Sequence, residues 1–371
     1  MSAGTATLLQ PRVRTRWEWL TSAALLVAVA GALLTGLFTA YGSDDPDRLG
    51  WDFRAAYLPA AELVADGRSP YPEDPSDPLP GELLPYIYPP QLALAITPLT
   101  RTSADVAALI AVLVSLAALM GALAVLGVRD VRCYAVVVIW APGWNALEMA
   151  NFSAVLALLL AVVWRFREAR WHPAAAIAVM VSAKLFLWPL LLWALAMRRV
   201  ALAGTAVLLG AALTLGSWAV IGFAGLRTFP ELLSSITSQS SYSIEDVAAA
   251  AGLGSSASRI GALVVGAPLL LLVARFARAG DDGRSFFAAI AAALALSPIV
   301  WLHYLVLLAV PLGIARPRFS PLWLLPIVLW VCPRSGNGDG FETFLPVAVT
   351  AMVLGLLLAR SRRAAQAVVA T

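Results

Sequence analysis

Three ionisable residues stand out, because this chain carries few charges and places most of them in short clusters. Asp52 lies in Trp51-Asp52-Phe53-Arg54-Ala55-Ala56-Tyr57, within the one sizeable hydrophilic segment, residues 42–85. A carboxylate there can take a proton from a hydroxyl. It can equally cap the amphipathic surface helix that the apolar spacing predicts up to Val64, ended by Asp66-Gly67, and residue chemistry alone leaves both readings open. Lys184 is the only lysine, set in the apolar run Ala174 to Leu195, where a charge costs about 2.5–3.5 kcal/mol on insertion scales. It needs a partner, which a ligand phosphate or Glu148 supplies, or it snorkels to the interface. His303 sits between Trp301 and Tyr304, just after Ser297-Pro298. It is suited to holding a phosphate or a hydroxyl, and equally to being a satisfied buried polar group.

The other polar features say less. Asn151 and Glu148 fall near the turn of a broken apolar pair, where Asn151 also suits helix capping. His172, beside Arg170, reads as an interfacial residue without a chemical role. Asp44, Asp45 and Asp47 form an acidic cluster without EF-hand spacing, so solvation is expected, and neither a metal nor another cofactor. Cys133 and Cys332 lie far apart in apolar context, which indicates neither a disulfide nor a zinc site. The Ser-rich stretch Gly222 to Ser256 reads either as a cover for a ligand or as a flexible connector.

The elements that must position these residues are membrane helices. Of 371 residues, 60% are hydrophobic and 13% charged, against about 45–50% and about 25% in soluble domains. The arginines come in clusters between apolar runs rather than on one soluble face, which makes them topology signals and excludes a nucleic-acid partner. Leu20 to Ala40 is too long for the core of a cleaved signal and reads as a retained first span. Arg12/14/16, Arg129/132, Arg165/167/170, Arg198/199, Arg275/278/284, Arg316/318 and Arg360/362/363 all fit cytoplasmic turns. Both termini then face the cytoplasm, and segment 42–85 lies outside it.

Between the clusters run Ala104 to Val128, Tyr134 to Trp164, Pro173 to Met197, Ala201 to Phe223, Ser258 to Val273, Phe286 to Ile314 and Pro321 to Leu358. The length rule gives about twelve spans, several of them short or broken. Pro142-Gly143, Lys184 with Pro189, and Ser297-Pro298 are the expected breaks, and such backbone survives at membrane depth only beside a protein-enclosed or watery cavity. Residues 91–100 read as a re-entrant or interfacial piece, after a stiff proline-rich arm. The expectation is a single all-α, multi-spanning inner-membrane domain over residues 1–371.

The order Trp51-Asp52-Phe53, Tyr57, Gly67, Ser69-Pro70-Tyr71, Tyr88-Pro89-Pro90, Lys184 and Ser297-Pro298-x-x-Trp301-x-His303-Tyr304 resembles glycosyltransferase family 87. The family's multi-spanning C-type enzymes take a sugar from a polyprenyl-phosphate carrier. The resemblance extends to mannosyltransferases and arabinofuranosyltransferases that build lipoglycans, without separating the two. It implies a polyprenyl-phosphate-linked donor, a glycan or glycolipid acceptor and a site on the external face, reached through membrane lipid. The family's acidic residue falls on Asp52, which implies general-base catalysis of an inverting transfer. Lys184 and His303 then hold the donor phosphate, while Tyr57, Tyr88, Asn151 and Trp301 are candidates for sugar or acceptor contact. Met149-Ala150-Asn151-Phe152 departs from the Gly-Gln or Gly-Asn motif of related enzymes. The alternative from another class is a transporter or flippase, which would place ionisable residues at mid-membrane and show repeat symmetry; the acidic residues here concentrate in one loop instead.

Overall fold

The structure, a computed structural model, describes residues 20–25, 27–29, 31, 50–72, 84–236, 241–333 and 340–359. The acidic cluster Asp44, Asp45 and Asp47 and both terminal arginine clusters lie outside these residues. A short π-helical turn, Phe53–Tyr57, leads into α1 (Leu58–Ala65), and the proline-rich arm leads into α2 (Pro90–Ile96). Then come α3 (Ala104–Val125), α4 (Val131–Ile139), α5 (Ala141–Met149), α6 (Ser153–Arg165) and α7 (Trp171–Ala183). After a 3-10 turn at Leu185–Leu187 follow α8 (Pro189–Ala196), α9 (Val200–Val220), α10 (Phe229–Ile236), α11 (Ile244–Ala250), α12 (Ser255–Arg278) and α13 (Asp282–Ala295). A 3-10 segment, Leu302–Leu308, precedes α14 (Ala309–Ala315), and another, Pro321–Val331, precedes α15 (Phe341–Ala359). Among the described residues there is no strand, and the chain is an all-α membrane protein.

Among the described residues four helices, α3, α9, α12 and α15, are long and apolar enough to cross a membrane, and α5 with α6 makes a fifth if that pair, bent by 116°, counts as one span. The sequence suggests about twelve passes. Much of the apolar chain is instead cut into shorter pieces. α6 and α7 have 13 residues each and α13 has 14, or about 20 Å at 1.5 Å per residue, against a hydrocarbon core of about 30 Å. α13 is buried on every side from Ser285 to Ala295, as an alanine-rich helix must be when neighbours surround it. α12 leaves Ile260, Leu263, Val264 and Leu271 exposed, the pattern of a lipid-facing helix.

Arginine-rich turns meet at one end of these short helices. Asp282 at the start of α13 accepts hydrogen bonds from Arg167 (2.9 Å), Arg199 (3.0 and 2.8 Å) and Trp193 Nε1 (3.0 Å). Arg199 also reaches Glu168 at 2.5 Å. Arg284 extends the group to the Leu358 carbonyl near the end of α15. Three of the turns that the charge pattern assigns to one side, those of Arg167, Arg199 and Arg284, therefore share one end here. Their opposite ends are Ser153, Ala183 and Ala295, each beside a break in the chain.

The breaks at Lys184 and at Ser297-Pro298 fall where expected. The one expected at Pro142-Gly143 comes slightly earlier, at Trp140, and Pro142 occupies the first turn of α5, where its missing N–H is harmless. Residues 90–101 form α2 and a 3-10 turn, neither long enough to span. The helix after Asp52 is not the surface helix expected: Phe53, Ala55, Ala56, Tyr57, Leu58, Ala60 and Ala61 are all buried, and Phe53, Tyr57, Leu58 and Ala60 pack in a cluster with Tyr71, Tyr86 and Trp218. Nor is Gly222 to Ser256 a bare connector. Tyr242 N–H donates to the Val300 carbonyl at 2.8 Å, and the Ser241 hydroxyl accepts from Val300 N–H at 3.2 Å, with Ser241 and Ser243 gathered on Asp246. Cys133 and Cys332 are buried free thiols.

Gly143 is required by a close backbone approach: a Cβ at this position would lie 1.8 Å from the Val137 carbonyl oxygen. The α4–α5 turn cannot open without displacing Trp140, whose indole N–H donates to the Trp323 carbonyl at 2.6 Å. Gly143→Ala is expected to cost about 1–3 kcal/mol, as overpacking does, and to lower the thermal unfolding midpoint in detergent. An unchanged midpoint would contradict this packing.

Candidate active site

Asp52 is placed by what comes immediately before it. The Gly50 N–H donates to the Glu148 carbonyl at 2.7 Å, at the end of α5, and Gly50 adopts φ +74°, where a Cβ would crowd that of Ala108 at 3.2 Å. Asp52 already has helical backbone angles and its side chain caps nothing. The carboxylate turns away from its own helix and accepts from Asn151 Nδ2 at 2.5 Å. Arg54 fixes the same turn by pairing with Asp105 at 2.7 Å.

Asn151 stands at the sharp bend between α5 and α6. Ala150 before it is left-handed, φ 47° and ψ 42°, a conformation that glycine adopts at no cost and alanine does not. The Asn151 amide is orientated by its neighbours: a carboxylate can only accept and an ammonium can only donate. Its oxygen accordingly accepts from Lys184 Nζ at 3.0 Å, and from the N–H and hydroxyl of Ser153 at 3.2 and 3.1 Å. Capping at the start of α6 and a place in the site are thus one arrangement.

Lys184 ends α7. Its backbone leaves the helix at φ −140° and ψ 97°, which turns the side chain inward while Leu185 remains 73% exposed. Lys184 is 5% exposed, and its ammonium is held among aromatic rings. It lies 4.1 Å from the ring centroid of Tyr304 and 5.3 Å from that of Tyr88, within cation–π range. Tyr304 is held by stacking on Phe186 at 5.2 Å.

His303 Nδ1 faces Asn145 Oδ1 at 3.3 Å. With the proton on Nδ1, a neutral ring offers Nε2 as an acceptor; a protonated ring offers a second N–H. Nε2 is buried without a partner in hydrogen-bonding geometry among the described residues, and the Tyr57 hydroxyl, also buried, lies within reach of the Tyr88 hydroxyl. A buried polar group is rarely left as Nε2 is unless something else binds it. Tyr57 packs on Tyr88 at 5.0 Å between centroids.

Six of the seven residues singled out in sequence, Asp52, Tyr57, Tyr88, Asn151, Lys184 and His303, thus lie in or against one buried cluster. Trp301 is the exception: half-buried against the core, its side chain has no ring or hydrogen-bond contact with the cluster among the described residues. Tyr304 and Asn145 belong to the site and were not singled out. Their position next to His303 and in the α5 turn was the available signal. Tyr71 and Tyr86 are buried struts whose hydroxyls donate to the Tyr88 and Pro89 carbonyls at 2.7 and 3.0 Å. Among the described residues no group of histidine, cysteine and carboxylate side chains is arranged to hold a metal.

A family model, glycosyltransferase family 87, matches residues 86–311, more than half of the chain. The chain belongs to glycosyltransferase family 87. The matched region includes Tyr88, Asn145, Asn151, Lys184, His303 and Tyr304, whereas Asp52 and Tyr57 precede it. No curated protein and no solved structure matches the chain.

Burial pushes the Asp52 carboxyl above its ordinary value, and the Asn151 hydrogen bond and the Lys184 charge pull it back only in part. Asn151→Ala removes one of the two lowering influences. An infrared titration of the carboxyl stretch, assigned by its loss in Asp52→Asn, should place the Asp52 midpoint higher in Asn151→Ala than in the unaltered family 87 glycosyltransferase. An unmoved midpoint would mean that the two side chains are not coupled.

Proposed function

We propose that this family 87 glycosyltransferase moves a sugar, mannose or arabinofuranose, from a polyprenyl-phosphate carrier to a hydroxyl of a cell-envelope glycan or glycolipid, with inversion. The observation that carries this reading is the buried chain Asp52–Asn151–Lys184, which sets one carboxylate and one ammonium on either side of a single amide. Sugar transfer needs both charges. The acceptor hydroxyl is a poor nucleophile until a base takes its proton, and the carrier phosphate leaves with the electron pair of the broken bond and an added negative charge.

In the proposed step the acceptor oxygen attacks the anomeric carbon as its proton passes to the Asp52 carboxylate. The bond from the anomeric carbon to the phosphate oxygen breaks, and the charge that develops there is met by the Lys184 ammonium. A single displacement inverts the configuration, so a β-linked donor gives an α-linked product. His303 Nε2, buried and without a hydrogen-bond partner among the described residues, is assigned to the phosphate, and the buried Tyr57 hydroxyl, beside that of Tyr88, to the sugar or acceptor. Tyr88, whose ring lies against both Tyr57 and the ammonium, walls the sugar subsite. Asn151 holds the charges apart so that neither neutralises the other before substrate arrives.

The depth of the site supports a lipid-linked donor. With the arginine-rich turns taken to lie at one membrane surface, helices of about 20 Å against a hydrocarbon core of about 30 Å would leave Lys184 below the opposite interface, where a phosphate enters from within the bilayer or at its edge. We assign that opposite face to the exterior and the arginine-rich end to the cytoplasm, on the positive-inside rule.

Membranes supplied separately with radiolabelled polyprenyl-phosphate mannose and polyprenyl-phosphate arabinose test this reading. One donor should be consumed, and Asp52→Asn should lower turnover by about 10²–10⁴-fold, the usual contribution of a general base, with the fold retained. Because the base must be ionised, activity should be present at neutral pH and lost as pH falls, through a limb lying above the ordinary carboxylate value of 3.8. Equal transfer by Asp52→Asn would remove the proposed base, and solute uptake without glycan formation would favour a transporter.

A further inference from the structure

We infer that Gln91, a residue with no ionisable group and none of the expected site chemistry, is a positioning residue that sets where Lys184 stands relative to Tyr88. The inference rests on the reading of Lys184 as the residue that holds the donor phosphate. It starts from the orphan groups of a broken helix. A helix that stops leaves its last carbonyls without intrahelical donors, and α7 stops at Lys184 in a buried place where water is scarce. The Ser182 carbonyl, two residues before Lys184, is taken by Gln91 Nε2 at 2.6 Å.

The other end of the same amide is fixed as well. Gln91 Oε1 faces the Ser217 hydroxyl of α9 at 3.0 Å, and that hydroxyl also reaches the Thr214 carbonyl at 2.8 Å. Gln91 therefore links α2, α7 and α9 through one side chain.

What makes the link consequential is the stiffness on its far side. Tyr88 is separated from Gln91 only by Pro89 and Pro90, whose ring closure fixes φ. Tyr86 locks the same turn, its hydroxyl accepting from Ala93 N–H at 2.9 Å and donating to the Pro89 carbonyl at 3.0 Å. Tyr71 holds the Tyr88 carbonyl at 2.7 Å. A rigid path thus runs from the Tyr88 ring through two prolines to the Gln91 amide, across to Ser182 and on to Lys184, and closes where the ammonium lies 5.3 Å from the Tyr88 ring centroid. Without the amide, the broken end of α7 is free to shift against the Tyr88 arm.

Because Lys184 is the only lysine, amine acylation followed by peptide mapping reports on it alone, apart from the distinguishable N-terminal amine. In the detergent-solubilised full chain, Gln91→Leu should raise the acylation rate of Lys184 by about fivefold, the equivalent of one ordinary hydrogen bond. In the transfer assay it should raise the donor KM by a similar factor while the acceptor KM and the acid limb set by Asp52 stay in place. Ser217→Ala, which frees the amide without removing it, should give a smaller change in the same direction and covers the case in which Gln91→Leu does not fold. Unchanged acylation in folded variants of both residues overturns the inference, whatever the activity. Absence of transfer by the unaltered enzyme with either donor would instead defeat the proposed function, with the labelling still deciding the role of Gln91.

Discussion

The site depends on keeping an ammonium and a carboxylate buried near each other without letting them collapse into a contact pair. A lone charge at membrane depth costs several kcal/mol, and a direct buried ion pair recovers much of that cost but leaves no valence for a substrate. In this chain the amide of Asn151 stands between the two charges, donating to Asp52 and accepting from Lys184. Each ion keeps one strong hydrogen bond and retains further capacity. The Lys184 ammonium has two remaining protons and two tyrosine faces beside it, and the Asp52 carboxylate has a second oxygen.

That arrangement constrains the helices. Asn151 must sit at a bend, so α5 and α6 meet at 116° with Ala150 left-handed between them. Lys184 must sit where α7 ends, which leaves carbonyls to be satisfied by α2. His303 must follow a non-helical stretch, held by the Ser241–Asp246 turn through Val300. The breaks share one level because α6, α7 and α13 are of nearly equal length and are tied at their other ends through Asp282. The ion-pair network at the arginine-rich end thus sets the level of a site roughly 20 Å away.

The membrane class, the breaks at Lys184 and Ser297-Pro298, and most of the cluster were legible in the sequence, for different reasons. A single lysine in an apolar run is conspicuous because its cost must be met by a partner, and proline next to a polar residue marks where a membrane helix can stop. The capping alternative for Asp52 could not be decided locally, since its actual partner lies 99 residues away. The burial of the helix after it was hidden for the same reason: its alanines look solvent-tolerant until parts of the chain distant in sequence cover them. Tyr304, Asn145 and Gln91 have side chains that serve equally well in a core, so only three-dimensional proximity distinguishes them. Trp301, favoured by its neighbours in sequence, is half-buried against the core that also holds Tyr304, and among the described residues its ring makes no stacking or hydrogen-bond contact with the charged cluster. The Asn151 motif is clarified by its backbone: the left-handed angle at Ala150 is one that glycine would fill without strain, so the departure from the Gly-Asn pattern keeps the geometry and the polar group.

In the proposed mechanism the Lys184 ammonium and the Asp52 carboxylate face one chamber in which a lipid-linked phosphate binds. The most direct measurement is an electron cryo-microscopy structure of the protein in lipid nanodiscs with polyprenyl phosphate bound. The account predicts phosphate density at hydrogen-bonding distance from Lys184 Nζ, with the isoprenoid chain leading into the bilayer and Asp52 on the opposite side of the Asn151 amide. Phosphate density held by arginines at the Asp282 end, with the Lys184 chamber closed and empty, would contradict it.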